Sequence, residues 1–258
     1  MTYYMGIDIG TGSSKGVLLK GAAIIADGRA PSGVNYKAAA EKVISSLLEK
    51  AGVFIADVKY TVATGYGAAS VPGAQESVAD IRCCAKGVYY LLPNARTIID
   101  IEGQTTQVIR LGNNGQIANF ATSEKCASGS GRFIEILSNV LQVPIEDIGA
   151  LSMKSKRPVT FTTACAVFGE SEAVSRVAEG FSAADILAGV HKAMAEKIAT
   201  MIERTGMEES VAVCGGGALN SGLVKALENA LKVSLVTIDK PDMVTALGAA
   251  LIASGTLI

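Results

Sequence analysis

The sequence repeats its opening pattern 92 residues further along, and this duplication restricts the fold more than any other feature. A mostly apolar run, Tyr3–Ile9, carries Asp8 near its end and leads through a short turn into a second apolar run. The run Ile98–Ile101 carries Asp100 in the same place. Each copy predicts two strands joined by a turn, with a carboxylate where the first strand ends. We therefore expect two related α/β domains.

The alignment of the two copies extends past the carboxylates, since Ser13 and Ser14 fall on Thr105 and Thr106, and Val17 falls on Ile109. Hydrophobic periodicity predicts the other elements. The further strands are expected at Gly16–Lys20, Ala22–Ala26, Val58–Thr64, Thr105–Leu111, Gln116–Ala121, Val211–Cys214 and Ser234–Ile238. The helices are expected at Tyr36–Ala51, Ser130–Leu141, Cys165–Ala178, Ala184–Arg204, Leu219–Ala230 and Thr245–Ala253.

No low-complexity linker separates the two copies, so any hinge is expected in an ordinary loop near Pro93. The domain boundaries follow from the repeat. We expect a first domain at 1–93, completed by the C-terminal helix 244–254, and a second domain at 94–258.

Composition describes a globular chain with a large interior, because 49% of the 258 residues are hydrophobic and 18% are charged. The 23 Lys and Arg residues are interspersed with 24 Asp and Glu residues, which argues against a nucleic-acid partner. The N-terminus lacks the pattern of a secretory signal, and no apolar stretch is long enough to span a membrane. We expect a cytoplasmic protein in which the five cysteines do not form structural disulfides.

The turns after the two carboxylates have the composition of a phosphate-binding site. Glycine and small hydroxyl residues let backbone N–H groups approach a polyphosphate closely. Asp8 and Asp100 would hold the water shell of Mg²⁺, which prefers oxygen ligands and gives up water reluctantly. Lys15 would neutralise phosphate charge, and Gln104 would orient the attacking water. The alternative is that Gly10-Thr11-Gly12 is an ordinary hairpin turn.

A third glycine run, Gly215-Gly216-Gly217, follows a predicted buried strand and opens a predicted helix. This position suits a platform for the base or ribose of a nucleotide. Close packing of a glycine-rich turn is the structural alternative.

Three motifs together resemble the two phosphate motifs and the adenosine motif of the superfamily of sugar kinases, actin and heat-shock chaperones. They are Gly6–Lys15, Asp100–Gln104 and Gly215–Ala218. Three others resemble a narrower family, the activators of 2-hydroxyacyl-CoA dehydratases together with the ATPase subunits of benzoyl-CoA reductase. They are Ala63–Gly67, Lys125–Phe133 and Cys165–Glu172, and the similarity covers essentially the whole chain.

The resemblance implies two duplicated actin-like, ribonuclease H-like domains around a nucleotide cleft. It implies ATP or ADP with Mg²⁺ as ligands, and Asp8, Asp100 and Gln104 as catalytic residues. The implied nucleotide-binding residues are Gly10, Thr11, Gly12, Ser13, Ser14, Lys15, Gly103, Gln104, Gly131, Gly215, Gly216, Gly217 and Ala218.

The resemblance further implies a dimer of identical or similar subunits that shares one [4Fe–4S] cluster. Cys126 and Cys165 of each chain would be the ligands, and both are expected to precede a helix start that favours thiolate. The implied activity is ATP-driven electron donation to an iron–sulfur dehydratase or reductase. Reduced ferredoxin or flavodoxin would be the electron source.

Several assignments remain open at this stage. Glu102 stands where this family is expected to have glycine, which places an anion near the nucleotide. The Cys126 motif is similar to the reductase subunits as well as to the activators. A small-molecule kinase or a nucleotide-dependent assembly protein of the same fold are the other candidate functions. The remaining cysteines, Cys83, Cys84 and Cys214, are interpreted as structural, and His191 as a surface or hydrogen-bonded helical histidine.

Overall fold

A computed structural model describes residues 2–123, 129–161 and 166–256 of the protein, and the side chains of all of these except 166 and 167. Cys126 and Cys165, the implied cluster ligands, lie outside the described residues. The chain divides into two compact units. The first comprises Met1–Ala95, Leu111–Ala118 and Asp242–Ile258, and the second comprises Arg96–Arg110 and Asn119–Pro241.

The first unit is built on a five-stranded mixed sheet with the order β3-β2-β1-β4-β5. Antiparallel pairing joins β1 to β2 and β2 to β3, whereas β4 runs parallel to β1 and β5 parallel to β4. The strands are β1 (Tyr3–Ile9), β2 (Ser13–Lys20), β3 (Ala23–Pro31), β4 (Val58–Thr64) and β5 (Glu76–Ser77). The helices are α1 (Tyr36–Ala51), α2 (Asp80–Leu91) and α8 (Val244–Ser254).

Glycines let α8 pack in direct backbone contact with the rest of the first unit. A Cβ at Gly6 of β1 would collide with the Ala246 carbonyl, and a Cβ at Gly248 would collide with the Cys83 carbonyl of α2. Helix α8 is apolar on nearly every side and almost completely buried. A helix of that character must be covered all round, and in this unit α2 and the sheet cover it.

The second unit repeats the mixed sheet, with the order β10-β9-β6-β7-β8. Strand β7 is antiparallel to β6, and β9 is parallel to it on the other side. The strands are β6 (Thr97–Ile101), β7 (Thr106–Leu111), β8 (Ile117–Thr122), β9 (Val211–Cys214) and β10 (Leu235–Thr237). The helices are α3 (Gly131–Leu141), α4 (Ile148–Ser152), α5 (Ala166–Ala178), α6 (Ala183–Thr205) and α7 (Ser221–Leu231).

The chain that leads towards Cys165 is attached to the start of α6. Asp185 accepts hydrogen bonds from the hydroxyls of Ser182 and Ser155 and from the backbone N–H groups of Lys156 and Arg157. These bonds hold the pKa of Asp185 well below its usual range. Further along, Val159 N–H donates to the Asp185 carbonyl over 3.0 Å. This segment is therefore fixed to α6 up to a few residues before α5.

The register of the two sheets confirms the duplication. Asp8 lies opposite Lys15 and Ile9 opposite Ser14, while in the second sheet Asp100 lies opposite Gln107 and Ile101 opposite Thr106. Each of these four residues of the first sheet is 92 residues before its counterpart in the second sheet. The predicted fold class, two duplicated α/β domains, is thus confirmed.

Two boundaries differ from the sequence prediction by more than two residues. Strand β2 begins at Ser13 instead of Gly16, because Gly10 N–H closes the turn onto the Ser13 carbonyl over 3.2 Å. Strand β3 continues to Pro31 because it stays paired with β2 along its whole length. Within residues 2–123, 129–161 and 166–256, no helix combines the length and apolar character that a membrane crossing requires.

Candidate functional site

The first predicted phosphate turn forms where β1 ends. Asp8 is 3% exposed and Lys15 is 2% exposed. The Asp8 Oδ2 atom lies 3.2 Å from the Lys15 Nζ atom. Their positions opposite each other in the β1–β2 ladder bring the two side chains together. The structure therefore places Lys15 as the buried ion-pair partner of Asp8, and its predicted role in neutralising phosphate charge stays a prediction.

Two opposing effects act on the Asp8 carboxyl. Burial is the larger and raises the pKa of Asp8 above its ordinary value, while the Lys15 ammonium acts to lower it. A buried pair of this kind depends on both partners, because removing one leaves an uncompensated charge in the interior. Asp8 and Lys15 therefore act as one structural unit at the base of the turn.

Ser32, which the sequence analysis missed, holds the first turn in shape. Its hydroxyl donates to the Gly10 carbonyl over 2.6 Å and lies 2.8 Å from Ser14 Oγ. Its backbone N–H donates to the Gly12 carbonyl over 3.1 Å. Of the turn itself, Gly12 is exposed and Gly10, Thr11 and Ser13 are partly exposed.

The second turn has the same backbone closure. Glu102 N–H donates to the Thr105 carbonyl over 2.9 Å, as Gly10 N–H does to Ser13. Asp100 at its base is 1% exposed, and Cys214 Sγ lies 3.7 Å from its Oδ1. Gln104 is exposed and Gly103 partly exposed, as a role at a nucleotide requires. Glu102 closes this turn through its backbone N–H, so a side chain at this position does not prevent the closure.

Helix α3 begins directly on this second turn. Gly131 N–H donates to the Glu102 carbonyl over 2.9 Å, and Arg132 N–H donates to the Gly103 carbonyl over 2.7 Å. A Cβ at Gly131 would lie 3.3 Å from the Glu102 carbonyl oxygen. The N–H group of Gly131, implied as a nucleotide-binding residue, is therefore occupied by the turn itself.

Thr106 contacts both ends of the segment that contains Cys126. Its backbone N–H donates to Ser123 Oγ over 2.9 Å, and its carbonyl accepts the Ser123 N–H over 2.8 Å. Its hydroxyl donates to the Gly129 carbonyl over 2.6 Å. Ser123 thus follows β8 as Ser32 follows β3, and it hydrogen-bonds back to the strand that leaves the turn.

The third glycine run turns sharply out of β9. Gly215 has a φ of 80°, and a Cβ there would lie 2.6 Å from Asp100 Oδ1. Gly217 packs on Ile101, and Ala218 N–H donates to the Gly215 carbonyl over 3.2 Å. Gly216 is exposed, and a Cβ there would meet nothing within 4 Å. Both interpretations of this run therefore remain compatible with the structure, since Gly215 and Gly217 allow close packing and Gly216 leaves an open surface.

A short 3₁₀ helix, Gly216–Leu219, begins within this run and leads to α7, which begins after Asn220. The Asn220 amide oxygen accepts the Leu223 N–H over 3.0 Å as the helix N-cap. Its amide nitrogen lies 3.0 Å from His191 Nε2, and His191 Nδ1 lies 3.0 Å from Ser152 Oγ. His191 is 2% exposed, so it is the hydrogen-bonded helical histidine of the two alternatives.

The three described cysteines are fully buried, and none of these three is in a disulfide. Burial raises the pKa of Cys83 to about 12, so this thiol stays protonated at neutral pH and is a poor metal ligand. Their interpretation as structural residues is consistent with these surroundings.

The chain matches the BadF/BadG/BcrA/BcrD ATPase family over residues 5–253. It is 38% identical over 252 residues to the 2-hydroxyisocaproyl-CoA dehydratase activator of Clostridioides difficile, covering 97% of this chain and 94% of that protein. It is 34% identical over 262 residues to one of the benzoyl-CoA reductase subunits of Thauera aromatica, covering 97% of this chain and 93% of that protein.

Among solved structures, the chain is similar to the activator of the 2-hydroxyisocaproyl-CoA dehydratase from Clostridium difficile with bound ADPNP. The TM-score is 0.93 at 37% identity, and the match covers 98% of this chain and 94% of that one. These matches confirm the resemblance that the motifs indicated.

Proposed function

We propose, from the premise that this chain belongs to the BadF/BadG/BcrA/BcrD ATPase family, that it hydrolyses ATP to drive electrons into a 2-hydroxyacyl-CoA dehydratase. The observation that carries the ATPase part is the pair of matched turns. Each follows a strand with a buried carboxylate and closes through the same backbone hydrogen bond. The family match supports the electron-transfer part.

Each residue in the turns has a definite role under this proposal. The exposed backbone of Thr11-Gly12-Ser13 binds phosphate oxygens of the nucleotide. Gln104 orients the attacking water, because an amide hydrogen-bonds to water without competing as a nucleophile. Gly216 leaves room for the adenosine moiety. Asp8 and Asp100 offer carboxylate oxygens, which suit the water shell of Mg²⁺; when bound, the cation neutralises phosphate charge.

The test uses two substitutions in the second unit, because Asp8→Asn would also strip Lys15 of its counter-charge. Asp100→Asn should lower Mg²⁺-dependent ATP hydrolysis by about 100-fold, the scale of losing one electrostatic contact in phosphoryl transfer. Gly216→Ala should weaken ATP binding while leaving the unfolding temperature unchanged, since the added methyl meets no protein atom. Calorimetric titration and turnover assays measure both.

Gly28→Ala is the matched control, because its Cβ would have at least 3.7 Å of room in β3, away from the turns. It should change neither binding nor stability. Wild-type hydrolysis in Asp100→Asn together with wild-type affinity in Gly216→Ala would remove this surface from the nucleotide site.

Cys126 and Cys165 are proposed as the ligands of the [4Fe–4S] cluster, two from each chain of a dimer. Their own geometry lies outside the described residues, so the support comes from chemistry and from neighbouring elements. Helix α5 starts at Ala166, the residue after Cys165, and a helix N-terminus favours a thiolate. Helix α3 starts five residues after Cys126 with its first N–H groups bonded to the turn, so the same argument is weaker there.

The partner is proposed to be an iron–sulfur dehydratase that acts on a 2-hydroxyacyl-CoA, with reduced ferredoxin or flavodoxin supplying the electrons. The 38% identity to a dehydratase activator, against 34% to a benzoyl-CoA reductase component, supports this choice over the reductase alternative. The test is reactivation of purified dehydratase under anaerobic conditions. Stimulation that requires both ATP and a reductant is expected, and activation without ATP would contradict the proposal.

A further inference from the structure

The loop after β4 closes on the Asp8 carboxylate. Thr64 is the β4 residue opposite Asp8 in the parallel β1–β4 pair. Gly65 follows with a φ of 83°, and a Cβ there would collide with Asp8 Oδ1. Gly67 N–H then donates to the Ile9 carbonyl over 2.9 Å. The loop therefore lies against the last residues of β1, where the first phosphate turn begins.

The same arrangement exists in the second unit. Cys214 lies opposite Asp100, and Gly215 has a φ of 80° with its backbone against Asp100 Oδ1. Gly67 and Gly217 also correspond, since a Cβ at either would collide with the isoleucine that ends the first strand, Ile9 or Ile101. Segment 64–67 is thus the first unit's counterpart of segment 214–217. The two segments lie further apart in the sequence than the 92 residues that separate the two turns.

The two segments differ at their middle position, which is exposed in both. The second unit has Gly216, with open space around it. The first unit has Tyr66, which is 76% exposed although the residues before and after it are half-buried and buried. The Tyr66 ring meets Tyr36 edge-on, at 6.1 Å between centroids and 79° between planes. The loop that lies against the end of β1 thus carries a large side chain that is left largely uncovered.

We propose that Tyr66 is a further nucleotide-contacting residue, which donates its phenolic O–H to a phosphate oxygen of nucleotide bound at the first turn. This inference rests on the proposed function. Gly216 leaves an open surface suited to a flat base, whereas Tyr66 fills that position and supplies a hydrogen-bond donor. Lys15 is paired with Asp8 and almost fully buried, whereas Tyr66 is largely exposed, so of these two side chains Tyr66 is the one open to a ligand.

The experiment compares Tyr66→Phe and Tyr66→Ala with Tyr3→Phe, which removes a phenol at the opposite end of β1. Binding of Mg²⁺–ADPNP and of adenosine is measured by calorimetric titration. Tyr66→Phe should weaken ADPNP binding about tenfold, the scale of one hydrogen bond to a charged group, and leave adenosine binding unchanged. Tyr66→Ala should weaken ADPNP binding at least as much, and Tyr3→Phe should match the wild type.

Wild-type ADPNP affinity in Tyr66→Phe would overturn the inference. If Tyr66→Ala alone impaired dehydratase activation at normal ADPNP affinity, the ring would serve as a protein contact, and the inference would again be wrong. Failure of the proposed function is distinguishable, because then the wild-type protein would bind no nucleotide. Equal losses for ADPNP and adenosine in Tyr66→Phe would also refute the phosphate assignment.

Discussion

Asp8 and Asp100 occupy equivalent positions under different electrostatic conditions. Asp8 faces Lys15 across the ladder, whereas Asp100 faces Gln107 and has a thiol close by. The charge of Asp8 is thus compensated across its ladder by a cation, while the residue opposite Asp100 is neutral. Under the proposed function, the two carboxylates would therefore contribute unequally to binding Mg²⁺, with Asp100 the more responsive to the cation.

The His191 network fixes the position of a proton. Because Asn220 uses its amide oxygen as the α7 N-cap, its NH₂ group must face His191 Nε2 and donate to it. Nε2 is therefore unprotonated, and Nδ1–H donates to Ser152 Oγ, which in turn donates to the Gly149 carbonyl over 2.8 Å. Protonation of Nε2 would place its N–H group opposite the Asn220 NH₂ group, so that two hydrogen-bond donors would face each other in a buried site.

His191 should therefore make the stability of the second unit depend on pH. Burial lowers its pKa to about 4, against about 6.5 in the unfolded chain. Between those values the unfolded state binds more protons, so the contribution is complete above pH 6.5 and is lost as pH falls towards 4. The expected loss is about 2 kcal/mol between pH 7 and pH 5. Denaturant unfolding of wild type and His191→Gln, compared at both pH values, isolates this contribution.

The sequence contains a single histidine, so an NMR titration reports its protonation without ambiguity. The imidazole should remain neutral down to about pH 4 with the proton on Nδ1. A midpoint near 6.5, or an Nε2–H tautomer, would contradict the network.

At the scale of elements, α3 and α5 pack against each other where a phenylalanine of one helix meets a glycine of the other. The Phe133 ring of α3 lies so close to Gly169 of α5 that an added Cβ would be 2.6 Å from Phe133 Cζ. Gly169→Ala should therefore cost about 1–3 kcal/mol from overpacking, although alanine favours the helix by up to about 1 kcal/mol. Denaturant unfolding measures the net effect.

Phe133→Leu removes the obstructing ring, so the double variant tests the cause. Phe133→Leu with Gly169→Ala should be more stable than the sum of the two single changes predicts, by about 1 kcal/mol or more. Additive effects would show that the two helices adjust independently, and that this contact does not set their separation.

The elements that sequence could predict are those with local signals. Strand β1, α1 and β4 have the predicted bounds, since apolar period and turn residues are encoded along the chain itself. Ser32 and Ser123 were missed because their roles depend on where a third strand ends in space. The correspondence of 64–67 with 214–217 was missed because it is hidden by a longer insertion in one copy than in the other. The sequence feature that could have revealed this correspondence is the glycine at the second and fourth positions of both segments.

At the scale of the whole molecule, the proposed cluster predicts an iron count that depends on dimer formation. Anaerobic reconstitution should give about four irons per two chains, because a [4Fe–4S] cluster needs four thiolates and each chain offers Cys126 and Cys165. Cys126→Ser or Cys165→Ser should lose the visible absorption and the iron while nucleotide binding persists. Iron and sulfide assays with calorimetry measure this.

Cys83→Ser is the control for that experiment, because its buried, protonated thiol is a poor ligand. It should retain the full iron content. Four irons on each monomer, or full iron in Cys126→Ser, would contradict a cluster shared between chains.

The hydrogen bonds of Thr106 to Ser123 and Gly129 also bear on how the chain between them tolerates changes in length. The two ends are held by one strand residue, so the entropy of bringing them together is already lost when the second unit folds. Two residues inserted after Ser123 would add only about 0.3 kcal/mol of closure entropy. Added length in this segment thus costs folding little, and a stronger restriction on it would come from the position that the proposed cluster requires of Cys126.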